Sequence, residues 1–352
     1  MKKILSFLIC IALLLSLVSC GKSSISTEGD LIVHFIDVGQ GDCSFIEFPD
    51  NTVMLIDSGE EEYANTVASY IKNLGYEKID YLVATHPHSD HMGSMYLIVK
   101  NFNIGSIYMP DATNTSSVFE KLLEQIDSKG LTVNTTKAGM QIKESKENKL
   151  IVKTLAPCSD EYDDLNNYSI VIKITYNMIS YLFMGDAETK SEKEITDDVS
   201  ADVIKVGHHG SNTSSSRNFV EQVMPKIAVF SVGEDNEYDH PSFDVVKRFE
   251  SVGASIYRTD KLGTIVVSTN GIDLFVNNED GSETYTNLDS PTATTVQLFE
   301  HTYILNISSK KIHSTDCASV KTIKDENREE THLSIDELEN QGYKKCSICN
   351  AE

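Results

Sequence analysis

A strand-like apolar run that leads straight into His86-Pro87-His88-Ser89-Asp90-His91 constrains this chain more than any other feature. Residues 81–84 are apolar and β-prone, and four candidate metal donors then fall within six residues. His86 and His88 alternate, so an extended or tightly turned loop aims both at one ion. Asp90 and His91 follow where the chain turns toward a helix, and can serve a second ion beside the first. Imidazole with carboxylate suits zinc, manganese or iron. A polar loop that is histidine-rich by chance is the alternative, and it does not account for this order after an apolar strand.

Strand-like runs recur at residues 31–38, 43–48, 52–56, 150–155, 170–176, 180–184, 203–206, 227–232 and 263–268. Helical periodicity lies between them, as at 64–74, 116–126, 217–223 and 243–251. This mixture predicts a layered α/β fold. Two mixed sheets between helices fit, although patterning leaves the topology open. After Asn277 the pattern fades. The expected division is a signal segment at 1–20, a tether at 21–30, a catalytic domain at 31–277, a polar linker at 278–296 and a small module at 297–352. Apolar residues make up 40% of the 352, enough for a full core. The formal net charge of −23 repels polyanions at long range, which counts against a broad electrostatic grip on nucleic acid.

Met1-Lys2-Lys3 is a short basic start, and residues 4–18 are an apolar stretch too short to cross a bilayer comfortably. Leu17-Val18-Ser19-Cys20 resembles a bacterial lipobox. That resemblance implies cleavage before Cys20 and a lipid on it, which puts the protein on the extracellular face of the cytoplasmic membrane. An ordinary signal peptide and an uncleaved anchor are the alternatives. Cys43 and Cys158 read as small buried residues.

The His86 run resembles the HxHxDH signature of the metallo-β-lactamase fold. The resemblance implies an αββα sandwich with two divalent metals, zinc or manganese, at one edge of its sheets. His86 and His88 would bind one ion, and Asp90 and His91 the other. Leu55-Ile56-Asp57-Ser58-Gly59 ends a strand, and by resemblance Asp57 orients a ligand, where its plain reading is a turn-initiating acid. Asp186, after Phe183-Met184-Gly185, would bridge the two ions. His208 of Gly207-His208-His209-Gly210 would complete the second ion, with His209 facing substrate. The family supplies a further histidine between the His86 run and the bridging aspartate. This chain has none between His91 and His208, and residues 166–169 stand in that region.

Several segments together resemble the hydrolase domain of the ComEC/Rec2 DNA-uptake proteins and its secreted relatives. They are residues 34–42, the His86 run, Gly185-Asp186-Ala187-Glu188, residues 205–211, Ser231-Val232-Gly233, Asp239-His240-Pro241 and residues 257–260. The channel of those proteins is absent from this sequence. The resemblance implies a metal-dependent phosphodiesterase or nuclease acting on DNA, in which a water activated between the metals attacks phosphorus. Asp90, His209 and His240 are the catalytic candidates. His240 would give the leaving oxygen a proton or a cation, and a loop histidine before a proline is its plain reading. Ser211 and Asn212 are candidates for binding phosphate. Asp37 and Asp42 are either site carboxylates or shapers of a glycine-rich turn. A cell-envelope phosphodiesterase, such as a phosphorylcholine esterase, and a non-catalytic DNA-binding surface protein are the competing functions. Oligomeric state is open.

At the C-terminus His313 and Cys317, then Cys346 and Cys349, have the two-knuckle spacing of a structural zinc site. Residues 310–317 and 341–346 resemble the zinc module of the Ada DNA-repair proteins, with His313 in the place of the first cysteine. The resemblance implies one structural zinc and nucleic-acid contact through Lys310, Lys311, Lys344 and Lys345. A unit this small needs such a staple to fold.

Overall fold

The computed structural model of the chain describes residues 29–278, 283–284 and, in part, 303–349. The signal segment with Cys20, most of the tether and most of the expected linker lie outside the described residues. The chain divides into two compact units, Met1–Pro291 and Thr292–Glu352. No helix among the described residues is long and apolar enough to cross a membrane.

In the first unit the strands are β1 (Leu31–Phe35), β2 (Ser44–Glu47), β3 (Val53–Ile56), β4 (Lys78–Val83), β5 (Asn103–Met109), β6 (Val133–Thr135), β7 (Gln141–Ser145) and β8 (Leu150–Ala156). They continue with β9 (Val171–Tyr176), β10 (Ile179–Phe183), β11 (Val203–Lys205), β12 (Ile227–Phe230), β13 (Ser255–Arg258), β14 (Ile265–Thr269), β15 (Leu274–Asn278) and β16 (Glu283–Thr284). One sheet has the order β16-β15-β14-β1-β2-β3-β4-β5-β6, the other β13-β12-β11-β10-β9-β8-β7. In the first sheet β3 to β6 run parallel, and in the second β10 to β13 do.

Alternation along the strands builds the layers. Leu31, Val33, Phe35, Ile46, Met54 and Ile56 of one sheet meet Val152, Ile172, Ile174, Tyr181, Phe183 and Val229 of the other in a shared core. Phe45, Val53 and Leu55 point the opposite way, onto helices Ala64–Asn73, Met95–Asn101 and Ser117–Ser128. On the second sheet's outer side, Phe249 of helix Phe243–Ser251 meets Phe230 edge to face at 5.8 Å. Helix, sheet, sheet and helix are therefore stacked, as the resemblance implies. Strands buried on both faces read as unbroken apolar runs, which is why they were legible. Truncating an inner side chain such as Ile172 to alanine costs about 2–5 kcal/mol.

Strands such as β5 and β13 are absent from the sequence reading, because polar and glycine residues such as Asn103, Gly105 and Ser106 break their apolar pattern. Strand β15 pairs with β14, and β16 falls where a linker was expected. Cys43 is buried, but Cys158 is exposed.

The second unit has β17 (Tyr303–Asn306), β18 (Lys311–Ser314), β19 (Arg328–Thr331) and β20 (Lys344–Lys345), in the order β19-β17-β18-β20. Tyr303, Leu305, Ile312, Leu338 and Tyr343 form one small core, and Ile304, Cys317, Val320 and Cys346 a second.

Candidate metal centre

Loops at the C-terminal ends of parallel strands converge at one edge of the two sheets, the usual place for a site in such sheets. Asp57 follows β3, the His86 run follows β4, Asp186 follows β10, His208 and His209 follow β11, and His240 lies beyond β12. Gly41 lets the turn after β1 press on the His86 run. A Cβ there would lie 2.4 Å from the Asp90 carbonyl oxygen. The Asp42 amide donates to that same oxygen at 3.0 Å.

Asp186 is the hub, 2% exposed. Its Oδ1 lies 3.1 Å from His91 Nε2 and 3.6 Å from His209 Nε2. Its Oδ2 lies 3.9 Å from His86 Nε2 and 3.8 Å from His208 Nε2. Asp90 Oδ2 stands 3.2 Å from His209 Nε2, and His88 Nδ1 3.0 Å from His86 Nε2. Asp90, His91, Asp186 and His209 each present a donor atom within 4.8 Å of the others, as a cation site requires.

Surrounding groups aim these rings. The Nδ1 of His91 is 2.8 Å from Asp57 Oδ2. Asp57 in turn accepts from the Thr85 amide at 2.8 Å and the Thr85 hydroxyl at 2.7 Å. The Nδ1 of His209 donates to the Ser231 carbonyl at 2.9 Å and lies 3.2 Å from Asp42 Oδ1. Around His86 Nδ1 stand the hydroxyls of Thr85 at 3.2 Å and Ser169 at 3.3 Å. Ser169 Oγ also accepts the Asp186 amide at 2.9 Å. A ring held at Nδ1 offers the Nε2 lone pair to an ion.

The residues fit a pair of cations. Asp42, Asp57, Asp90 and Asp186 gather around the rings. Among the described residues, the one ammonium ion-paired within the group is Lys205, 2% exposed, which pairs with Asp42 and donates to the Val206 carbonyl. Buried acids in such excess need further positive charge. Burial opposes protonation of His209, yet Asp186, Asp42 and Asp90 raise its pKa to about 10. Burial opposes it at His91 too, and Asp186, Asp90, Asp57 and Asp42 push that ring well above its ordinary value. His86 is driven the other way by burial and by His91. Cations would satisfy the acids while leaving the imidazoles neutral. Oδ1 of Asp186 and Nε2 of His91 are buried without a hydrogen-bond partner, as atoms meant for an ion would be.

The donors open into a cavity of about 540 Å³. Glu60, Glu62, Tyr63, Glu237 and Tyr238 contribute to its rim, and no lysine or arginine among the described residues lines it. Asn166 stands in the wall, 7% exposed, with Oδ1 lacking a partner.

Several sequence expectations change here. It is His209, not His208, that joins Asp90 and His91. Both residues adopt left-handed backbone, φ 49° and 52°, so the chain doubles back over Gly207–Gly210 and carries the second ring inward. His208 stays nearer the rim, its Nδ1 3.1 Å from Thr213 Oγ1. Ser211 and Asn212 do not line the cavity. Ser211 Oγ is engaged with Thr213, and Asn212 lines a separate hollow beside Arg217, Lys247 and Arg248. His240 does line the cavity. Burial, with His209 and His208 close by, lowers its pKa to about 4, so its ring is neutral and is no ready cation. Asp37 and Asp42 part company. Asp37 shapes the turn by accepting the Gly39 amide at 3.0 Å, and Asp42 faces His209. Lys205 opens the segment 205–211 that carries the resemblance, but the sequence gives it no role of its own because it ends an apolar strand run.

In the second unit His313, Cys317, Cys346 and Cys349 bring their donor atoms within 4.8 Å of one another. His313 Nδ1 is 3.4 Å from Cys317 Sγ, and the Ser314 amide points at Cys349 Sγ at 3.4 Å. Lys310 stands over the Tyr343 ring at 4.2 Å.

The profile of the Metallo-beta-lactamase superfamily matches residues 36–234. ComE operon protein 3 of Bacillus subtilis is 30% identical over 263 residues, which cover 68% of this chain and 33% of that protein. Competence protein ComA of Neisseria gonorrhoeae is 29% identical over 245 residues, covering 68% and 32%. The chain thus spans about a third of the length of these relatives. Among solved structures, a metallo hydrolase from Ignicoccus hospitalis superposes with a TM-score of 0.46 at 15% identity, covering 67% of this chain and 98% of that one.

Proposed function

This chain belongs to the metallo-beta-lactamase superfamily, and from that premise we propose that it is a metal-dependent phosphodiesterase acting on DNA outside the cytoplasmic membrane. The observation that carries the reading is the excess of buried carboxylate around Asp186, at the foot of a cavity without lysine or arginine among the described residues. A phosphodiester entering there meets acids unless cations stand in front of them. The relative named as a competence protein, together with the resemblance to DNA-uptake proteins, favours DNA among phosphodiesters.

Two divalent cations in the site would polarise the phosphoryl group and lower the pKa of water. Asp90, His91, His209 and Asp186 would hold one, and His86 and His88 with the other oxygen of Asp186 would hold the second. Asp57 fixes the His91 ring, and Asp42 with Ser231 fixes the His209 ring. His240, neutral, offers a hydrogen bond at the mouth rather than an imidazolium proton. Cys20 would carry the lipid that anchors the enzyme, and the four-residue C-terminal cluster would hold one structural zinc in an Ada-like module.

A second reading has its own observation. The rim joins Glu60, Glu62 and Glu237 to Tyr63 and Tyr238, a lining suited to a quaternary ammonium group. That favours a phosphorylcholine-type ester of the cell envelope. The experiment uses protein lacking residues 1–20, incubated with single- and double-stranded DNA and Mn²⁺, Zn²⁺ or EDTA. Metal-dependent cleavage lost in His88→Ala and Asp186→Ala supports the nuclease. Turnover of a phosphorylcholine ester without DNA cleavage moves the assignment to the envelope. Inactivity on both, and on bis-p-nitrophenyl phosphate, would refute both readings.

A further inference from the structure

The two halves of the centre are unequally supplied. Around Asp186 Oδ1 stand two imidazoles and the Asp90 carboxylate, and the four side chains already converge within 4.8 Å. On the Oδ2 side the sequence provides only His86 and His88, with no histidine between His91 and His208 to add.

The geometry supplies one from elsewhere. His208 and His209 are neighbours in the chain, yet their ring planes lie 72° apart with centroids 6.2 Å from each other. His209 Nε2 faces Asp186 Oδ1 at 3.6 Å, and His208 Nε2 faces Asp186 Oδ2 at 3.8 Å. The second distance nearly equals that of His86 Nε2 to the same oxygen, 3.9 Å. Each carboxylate oxygen is thus flanked by two imidazole Nε2 atoms, one from the His86 run and one from the tandem pair. All four rings follow one rule. Nδ1 is held by an oxygen (a Thr85 or Ser169 hydroxyl, Asp57, Thr213 or Ser231), and Nε2 is turned to Asp186. That pattern is how a protein aims a neutral imidazole at an ion. A histidine serving only substrate would not need it. The successive left-handed residues supply the means, since they send adjacent side chains to opposite sides of one carboxylate.

We propose that the tandem histidines are divided between the two cations. His209 serves the Asp90–His91 half, and His208 completes the His86–His88 half in place of the absent histidine. The inference rests on the two-cation reading above. It makes the His208 half the nitrogen-rich seat, with three imidazoles, and the His209 half the more oxygen-rich one. Imidazole-rich seats favour zinc-like cations, and carboxylate-rich seats tolerate manganese.

The test is Mn²⁺ binding to the metal-stripped chain, followed by electron paramagnetic resonance and equilibrium dialysis. Manganese suits the thiolate cluster of the second unit poorly, so it reports on this centre. The wild-type protein is expected to bind two Mn²⁺ with a spin-coupled signal. His208→Ala and His209→Ala should each leave one uncoupled Mn²⁺, the other being weakened by more than about tenfold. The pairing comes from double variants. His208→Ala with His88→Ala should still hold one cation, because both changes strike one seat. His209→Ala with His88→Ala should hold none. Thermal midpoints of the stripped variants check that folding is intact, and His208→Gln covers any that fail it. Two Mn²⁺ of unchanged affinity in His208→Ala would overturn the proposal and pass the role to Asn166 or to water. Loss of both cations in the His208/His88 pair would overturn it as well. Fewer than two Mn²⁺ in the wild-type protein would instead remove the two-cation reading beneath it.

Discussion

The cluster around Asp186 and the cluster of His313, Cys317, Cys346 and Cys349 stand at opposite ends of one design range. The first collects its donors from residues 86 to 209, on loops held by two sheets whose shared core is large. Its donors are nitrogen and oxygen. The second collects four donors within a unit whose strands are two to four residues long and whose cores, among the described residues, hold only a few side chains. Three of its donors are sulfur. Where the core is large, the fold creates the site, and an ion there would be a reagent. Where the core is small, an ion would be part of the fold.

The sharpest way to break this contrast is Cys346→Ser. Structural zinc binds such small sites with about 10–16 kcal/mol of apparent free energy. The second unit should therefore unfold, read as loss of protection in hydrogen exchange over residues 303–346. Hydrolysis of bis-p-nitrophenyl phosphate should be unchanged. A matching fall in turnover would mean that the two clusters are not independent. The converse change, Asp186→Ala, should lower turnover by about a thousandfold, several kcal/mol of lost charge stabilisation. The protein's zinc content at the cysteine cluster should stay at one per chain, by atomic emission. Asp57→Asn keeps the shape of that side chain but removes its charge from the His91 ring. Metal affinity at the first cluster should fall about 10–100-fold, by competition with a chelator. An unchanged affinity would show that Thr85 and the backbone alone orient His91.

The smallest effect concerns His240. Its folded pKa of about 4 lies below the ordinary 6.5, so between these values the unfolded chain holds the proton and the native chain does not. Stability should rise with pH across that window. In His240→Asn the rise should be shallower than in the wild type, by thermal unfolding of metal-stripped protein. Identical slopes would place His240 in a more watery setting than its neighbours imply.

Legibility in the sequence followed how local each signal was. His86, His88, Asp90 and His91 are contiguous, and Asp57 and Asp186 each close an apolar strand, so all six stood out. The division of labour between His208 and His209 did not, because two backbone angles decide it. Ser211 and Asn212 looked like phosphate donors by proximity in sequence alone, and the loop turns them elsewhere. Lys205 sits among Val203, Ile204 and Val206, where a lysine reads as a strand residue rather than an internal partner. Strand β5 was hidden by the polar residues on its exposed positions.

The buried pair of Lys205 and Asp42 has a consequence for the order of assembly. A nest of carboxylates with no resident cation would push itself apart before any metal arrived. Lys205 is a counter-ion built into the chain beside Asp42, and together with the protons that the same acids favour on His91 and His209 it lets the sheets close before any metal binds. Folding can then precede metal loading.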